Sequence, residues 1–504
     1  MNRMYELGNS FLSATSQLLS SVFVLLMAAL VIIAAVLYVI DLTQTRHTIR
    51  RNYPLIGRFR YLFEKLGEFF RQYFFSMDRE ELPFNRAQRS WAYRAAKNLD
   101  NTQAFGSTSQ ANDVGHVIFM NAGFALLEEE ATDIEPIVYG PHCRKPYSSA
   151  SLFNISGMSY GAISRPAVQA LSRGAAMAGC WMCTGEGALS DYHLEGNCDI
   201  IFQVGTAKYG VRDESGDYDV ARLKYLGELP QVKMIELKLS QGAKPGKGGI
   251  LPAVKVSEEI ARIRGIPVGQ ASISPNRHPD INNSAQLIER VCWLRELTGK
   301  PVGIKFVLGD VNWLDDLLRT IVDAGAENAP DFFTLDSADG GTGAAPLTLV
   351  DDVGLDLQES LPILVDKLIE YRLRDRIRVI ASGKLINPAD VAWALCVGAD
   401  AVNNARGFMF SLGCIQAMQC NRNTCPTGIT THDPKLQRGL VTKDKSVRVA
   451  HYQRNMMHEL GVIAHSCGAK NARQLTRRHA RVVITPSTSV SLVDYYAGSA
   501  SSHK

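Results

Sequence analysis

The chain predicts a (β/α)8 barrel preceded by one transmembrane helix, and three observations lead to that reading. From Ser151 onward, eight short apolar runs recur, each closed by small or polar residues and mostly followed by a helical pattern. Nearer the start, nineteen residues from Val22 to Ile40 carry no charge. At 1.5 Å per residue such a helix spans about 28 Å, which matches the hydrocarbon core of a bilayer. A doubly wound open sheet is the alternative, but no Gly-x-Gly-x-x-Gly fingerprint follows the first run.

Composition agrees with a loop-rich α/β enzyme. The chain has 504 residues, 46% of them apolar, with 41 glycines, room for one large catalytic domain and something smaller. A net charge of +4 with 21% charged residues gives neither a nucleic-acid-binding bias nor a disordered one. DNA and RNA are therefore not expected as partners.

Residues 1–41 form the first segment, with the membrane helix at 22–40. A cleaved signal peptide is the alternative, but the run is longer than an h-region and no small-x-small site follows it. Arg46, His47, Arg50, Arg51, Arg58 and Arg60 lie downstream, whereas Arg3 upstream is offset by Glu6. By the positive-inside rule the protein is single-pass, with its catalytic part in the cytoplasm. The seven cysteines outside the 414–425 loop lack the framework of a secreted scaffold and read as reduced. Arg58 to Phe75 carries aromatics and leucines at helical spacing among charges. This is an amphipathic helix for the membrane surface or for packing on the enzyme. Residues 42–140 as a whole read as a juxtamembrane and lead-in region without chemistry.

The barrel is expected over 141–480. Its strands are SLFNIS, CWMCT, IIFQV, KMIELKL, GIKFV, FFTLDS, RVIAS and AVNNA, and catalytic residues belong where these end. The long loop Ser240 to Asn283 is expected over the barrel mouth. From 481 to 504, the Ser- and Thr-rich text reads as a flexible tail.

The most telling motif is Cys414, Cys420 and Cys425, closed by Cys-Pro. Three soft thiolates so spaced reach one inorganic cluster and point to electron transfer. They do not make a zinc ribbon, which wants four ligands. Cys180 and Cys183 form a C-x-x-C inside a strand, where alternation sends the two thiols to opposite faces.

Several strand ends have what a flavin barrel needs. Met158 and Ser159 lie in NISGMSYGAIS after the first strand, where small residues let a planar ring approach backbone. Lys305 is a lone cation in an apolar strand and requires a partner, either a salt bridge or the charge developing at N1 and O2 of a reduced flavin. Gly340 and Gly341 belong to the nest DGGTGAAP, whose N–H groups hold an anion or a flavin edge. Gly383 in Ser-Gly-Lys384, and Ala405 with Arg406, end strands seven and eight, where such barrels bind a cofactor phosphate. The lid segment KLSQGAKPGKGG brings Lys238, Lys244 and Lys247, with Arg264 and the run SPNRHPD beyond it. Unless this is simply a solvated basic loop, it fits a carboxylate-bearing substrate. Glu186, in TGEG, ends the second strand at the same mouth and can bind an amine or relay a proton; His278 reads equally as a turn residue.

These strings in this order resemble the FMN-binding synthase domain of glutamate synthase, from about Ser151 to Thr431: FNISGMSYGAIS, TGEG, KLSQGAKPGKGG, ISPNRHPDI, GIKFV, DGGTGAAP and GC-x5-C-x4-CP. The resemblance implies FMN and a 3Fe-4S cluster held by Cys414, Cys420 and Cys425. It implies reduction of 2-iminoglutarate, formed from 2-oxoglutarate and ammonia, to L-glutamate. It places Gln241, Lys244 and Arg264 on the substrate, Glu186, Lys244 and Lys305 in catalysis, and Lys305 beside the flavin.

Two departures bear on the function. A membrane helix stands where the family carries a glutaminase domain, and Ile250 replaces a family glutamine in the lid. No Gly-x-Gly-x-x-Gly fingerprint supplies a nicotinamide site, so electrons are expected from a separate protein or a quinone-linked membrane partner. The alternatives are a membrane-associated flavin dehydrogenase that oxidises an amino or hydroxy acid toward quinone, and a non-enzymatic scaffold.

Overall fold

The protein is described by a computed structural model covering residues 2–501; positions 502–504 of the expected tail lie outside the described residues. The chain divides into two compact units, Met1–Arg86 and Ala87–Lys504. The boundary thus falls inside the expected lead-in region rather than at its end.

In the first unit one helix runs from Asn2 to Thr43, and its stretch Ala14–Thr43 is long and apolar enough to cross a membrane. Leu25, Ile32 and Val39 lie on it exposed. The chain then turns back on an ion pair: the buried Asp41 carboxylate accepts from Arg58 Nε at 2.7 Å, Arg58 Nη2 at 2.8 Å and the Leu55 N–H at 3.1 Å. Helix Ile56–Phe70 follows, with Ile56, Phe59, Leu62 and Phe63 exposed.

The second unit is built on a closed barrel of eight parallel strands. They are β1 (Phe153–Ile155), β2 (Met182–Cys183), β3 (Ile200–Val204), β4 (Val232–Lys238), β5 (Val302–Phe306), β6 (Phe332–Asp336), β7 (Arg378–Ser382) and β8 (Ala401–Asn404). Each expected run supplies one strand, and β8 pairs with β1 to close the ring. Full burial on both faces explains why the runs read as continuously apolar rather than alternating. Helix starts are set by side chains: Asp219, Asn283, Asp310, Asp356 and Asn387 each accept an N–H of the following first turn.

A hairpin of Ile137–Tyr139 with Tyr147–Ser149 contributes to the apolar core of the barrel. Tyr139, Tyr147 and Trp181 are buried there in one cluster with Met234, Phe332 and Ile380. Cys183 belongs to this interior cluster, whereas Cys180 neighbours Cys198.

One expectation is corrected here. The tail is ordered: Ala480–Thr485 and Thr488–Ser491 form a hairpin, and helix Leu492–Ser501 follows. Strand Val117–Phe119 pairs with the first of these, Val117 opposite Val482. The reason is long-range pairing, which the small polar residues of the turn at Pro486 and Ser487 conceal. Within the lead-in, the Tyr93 hydroxyl donates to the Cys414 carbonyl at 2.5 Å.

Candidate active site

The site forms where the C-terminal ends of the strands meet the loop Ser240–Asn283. Its lower layer is a polar network inside the barrel. Glu236 of β4 accepts from Gln203 Nε2 at 2.6 Å and Thr334 Oγ1 at 2.5 Å, from β3 and β6. Beside it, Lys305 of β5 meets the Asp336 carboxylate at 3.2 Å. Asp336 also accepts the Gly242 N–H at 2.9 Å, which fixes the root of the lid to β6. Burial works against the Lys305 ammonium, but Asp336 and Glu236 outweigh it and hold its pKa above the ordinary lysine value. Lys305 is thus a fixed cation, and its protein partner is Asp336.

The next layer surrounds Glu186. Its carboxylate lies 3.1 Å from Lys238 Nζ, and Lys238 also donates to the Gln241 side chain. Burial alone would raise the Glu186 carboxyl; Lys238, Lys244 and Arg264 reverse that and hold it below the ordinary carboxylate range. Lys244 is buried and donates to the Ala344 carbonyl at 3.2 Å. Its ammonium is pushed down to about 8 by burial, with Lys238 adding to the shift. Arg264, 4% exposed, donates to the Tyr160 carbonyl at 3.0 Å and stacks over Tyr209, while its Nε finds no acceptor among the described residues. That is a built electropositive pocket with a single carboxylate at its centre. The lid presses on it: a Cβ placed on Gly249 would stand 1.8 Å from Glu186 Oε1. Ile250, next along, is half-buried in a short antiparallel strand pair with Ile273. His278 is buried, with its Nε2–H donated to the Lys238 carbonyl at 2.9 Å. Burial pushes its pKa down to about 4, so the ring is neutral.

The remaining predicted residues gather round the same mouth. A cavity there is lined by Gly157, Gln203, Lys305, Gly341, Gly383 and Arg406, among others. Ser159 packs against the Thr-Gly-Glu-Gly turn, where a Cβ on Gly185 would stand 2.6 Å from its N–H. Met158 is buried beside it. Gly340 donates its N–H to the Ser337 carbonyl at 2.9 Å. Ala405 precedes helix Arg406–Leu412, and Arg406 donates to the Thr342 carbonyl. At β7, Lys384 pairs with Asp339 at 2.8 Å.

A flat, phosphorylated cofactor fits these residues. Side chains are excluded where backbone lines the cavity: a Cβ at Gly341 would lie 2.7 Å from Arg406 Nε, and one at Gly383 2.3 Å from Ser337 Cβ. Gly383 also has φ +142, a conformation that other residues rarely adopt. Cations stand at the ends of β7 and β8, where barrels of this type hold phosphate.

The cysteine loop follows helix Arg406–Leu412 and lies against the loop after β1. Ser164 Oγ donates to the Gly428 carbonyl at 2.7 Å, and His432 Nε2 donates to the Gly161 carbonyl at 2.8 Å. Cys425 is buried, and Cys414 and Cys420 are half-buried. The three thiols lie near enough to act on one another: burial pushes Cys414 up to about 11, with Cys420 and Cys425 adding to the rise. Cys425 is instead lowered, because hydrogen bonds from Thr427 and Thr430 outweigh its burial. Among the described residues no trio of His, Cys, Asp or Glu closes on a single metal ion. A cluster asks for another arrangement, since each cysteine takes a separate iron.

Residues that sequence alone does not single out include Asp336, Glu236, Gln203, Tyr93 and Lys255. Lys255 is 2% exposed, and its Nζ lies 2.7 Å from the Cys420 carbonyl and 3.0 Å from the Ala162 carbonyl. The unpaired Lys305 was a signal for Asp336; nothing in the text marks the other four.

Residues 97–470 match the conserved region in glutamate synthase. The glutamate synthase large subunit-like protein YerD of Bacillus subtilis is 39% identical, with 88% of this chain and 91% of that protein covered. The archaeal-type glutamate synthase [NADPH] of Thermotoga maritima is 36% identical over 62% of this chain and 58% of its own length, so the chain spans less than two thirds of that relative. Among solved structures, a flavocytochrome b2 mutant with pyruvate bound aligns at 16% identity and TM-score 0.45, covering 78% of this chain and 82% of that one.

Proposed function

Since this chain belongs to the glutamate synthase family, an enzymatic family of oxidoreductases, we propose that it reduces 2-iminoglutarate, formed from 2-oxoglutarate and ammonia, to L-glutamate. Cys414, Cys420 and Cys425 would hold a 3Fe-4S cluster and the barrel mouth an FMN, and together these would supply electrons taken from an external donor. The helix Ala14–Thr43 tethers the enzyme to a membrane, with the barrel on the cytoplasmic side. The observation that carries this reading is the pocket of Lys238, Lys244 and Arg264 around Glu186, with Lys238 lining the same cavity as the fixed Lys305 cation.

FMN would be held by the backbone at Gly157 to Ser159, by Gly340, Gly341 and Gly383, and by Ala405 and Arg406, with Lys305 against its ring. Bound there, it supplies the hydride for the imine carbon. Lys305, kept charged by Asp336, offsets the negative charge of a reduced ring. Lys244 and Arg264 bind the two carboxylates, and Gln241, held by Lys238, adds a polar contact. Glu186 stays ionised and accepts from the imine N–H, which orients the carbon. Imine to amine takes two electrons and two protons in all. A hydride brings both electrons and one proton, and Lys244 is suited to give the second, because its pKa of about 8 lies near neutrality. The lid, with Gly249 on Glu186, keeps water out.

The test is anaerobic. The full chain in detergent is photoreduced, then given 2-oxoglutarate and ammonium, and the flavin is expected to reoxidise only with both present. Bleaching of the oxidised flavin by an amino or hydroxy acid, with no reoxidation by 2-oxoglutarate and ammonium, would replace this reading with the dehydrogenase one. A colourless protein would sink both.

A further inference from the structure

We infer that Lys255 is the fixed counter-charge of the iron-sulfur cluster, holding it in place and raising its reduction potential. This rests on the cluster reading above and goes beyond it to a residue outside the cysteine loop. Lys255 ends the turn Ala253–Lys255 in the lid, immediately after the strand pair of Ile250 and Leu251. Its ammonium is buried yet, among the described residues, bonds only to carbonyls, those of Ala162 and Cys420. Burial pushes the ammonium down to about 8, and the groups that act to keep it charged are the thiols Cys420 and Cys425, with no carboxylate among them.

Burying an ammonium against neutral acceptors is costly, and folded proteins normally answer it with a carboxylate. Lys305, Lys208 and Lys238 follow that rule, pairing with Asp336, Asp280 and Glu186; Lys244 and Lys300 bond to carbonyls, yet Glu186 and Glu228 act on them. Among the described residues no carboxylate does so for Lys255, although it is the most buried of the six. The deficit disappears if the space beside Cys420 and Cys425 holds a group with net negative charge, as thiolates and inorganic sulfide around iron do. One-electron reduction makes such a group more negative, so a neighbouring cation favours the reduced form. Taking the cation away makes reduction harder. The same ammonium joins the lid, the loop after β1 and the cysteine loop, so the substrate cover and the electron port share one residue. The other ties between these loops, from Ser164 to Gly428 and from His432 to Gly161, do not involve Lys255.

The experiment uses the full chain in detergent, reconstituted anaerobically with ferrous iron and sulfide. Iron per protein is measured, and a dithionite titration followed by electron paramagnetic resonance gives the potential. Lys255→Met is expected to keep wild-type near-UV circular dichroism and flavin absorbance, and either to lose iron or to retain a cluster whose potential is shifted downward. Lys255→Arg is expected to restore both iron and potential. Wild-type iron and an unchanged potential in Lys255→Met would overturn the inference while leaving the cluster reading intact, as would an Arg variant as deficient as the Met one. A wild-type protein that takes up no iron would bring down the cluster reading and this inference with it. If Lys255→Met does not fold, Lys255→Gln is held to the same outcomes.

Discussion

Glu186→Gln is the most instructive single change, because it removes the carboxylate between Lys238, Lys244 and Arg264 while keeping its shape. At 3.1 Å and an effective dielectric constant of about 20, the Lys238 attraction alone is roughly 5 kcal/mol before desolvation. Breaking one side of a buried pair costs about 3–5 kcal/mol net. The amide keeps an acceptor oxygen, so ~3 kcal/mol is expected. At about 2.1 cal/mol/K per residue across Ala87–Lys504, the unfolding entropy is roughly 0.9 kcal/mol/K, and the melting temperature should fall by ~3 °C. The pH dependence has a definite sign. The folded carboxyl lies below its ordinary 4.5, so its stabilisation is present in full above that value and is lost as pH falls through the lowered one. The gap between wild type and variant should therefore be constant near neutrality and close only below pH 4.5. Melting followed by near-UV circular dichroism measures it. Flavin absorbance then reports binding of 2-oxoglutarate, which the more positive pocket should hold at least as tightly while turnover is lost. An unchanged melting temperature together with undiminished turnover would refute the reasoning.

Dicarboxylate affinity should be flat below pH ~8 and weaken above it, as the Lys244 ammonium, whose pKa is about 8, loses its charge. Lys244→Met should bind weakly with no such inflection in a titration across that range. Gly249→Ala sets a methyl group 1.8 Å from Glu186 Oε1; overpacking of about 1–3 kcal/mol should lift the lid, raising KM and lowering kcat with far-UV circular dichroism unchanged. Cys420→Ser should lose iron and keep FMN, which metal analysis and the visible spectrum read in one sample. Deleting residues 2–43 should move the protein from the membrane pellet to the supernatant, and a chain that still sediments after a high-salt wash would locate its attachment elsewhere.

The barrel was legible because a parallel sheet covered on both faces writes each strand as an apolar run, and all eight runs became strands. Site residues were legible where they broke that pattern: Lys305 inside β5, Glu186 between glycines, the cysteine triplet. Their partners were not. Asp336 sits at the end of β6, and only closure of the ring brings it to Lys305. Glu236 reads as one polar residue in a β4 run and becomes meaningful when Gln203 and Thr334 bond to it from two other strands. Lys255 looks like one more cation in a basic lid until its burial is seen. The tail misled because Thr, Ser and Pro serve turns and edge strands alike, and its pairing partner, Val117–Phe119, is distant in the chain. Periodicity reports local burial; it carries no information about which distant groups meet.

The central claim is tested most directly by a single anaerobic turnover. Photoreduced protein in detergent is mixed with 2-oxoglutarate and isotope-labelled ammonium, flavin absorbance is followed, and glutamate is analysed by mass spectrometry. Reoxidation of the flavin matched by an equal amount of labelled L-glutamate is expected. A flavin that stays reduced, or reoxidises without labelled glutamate, would contradict it.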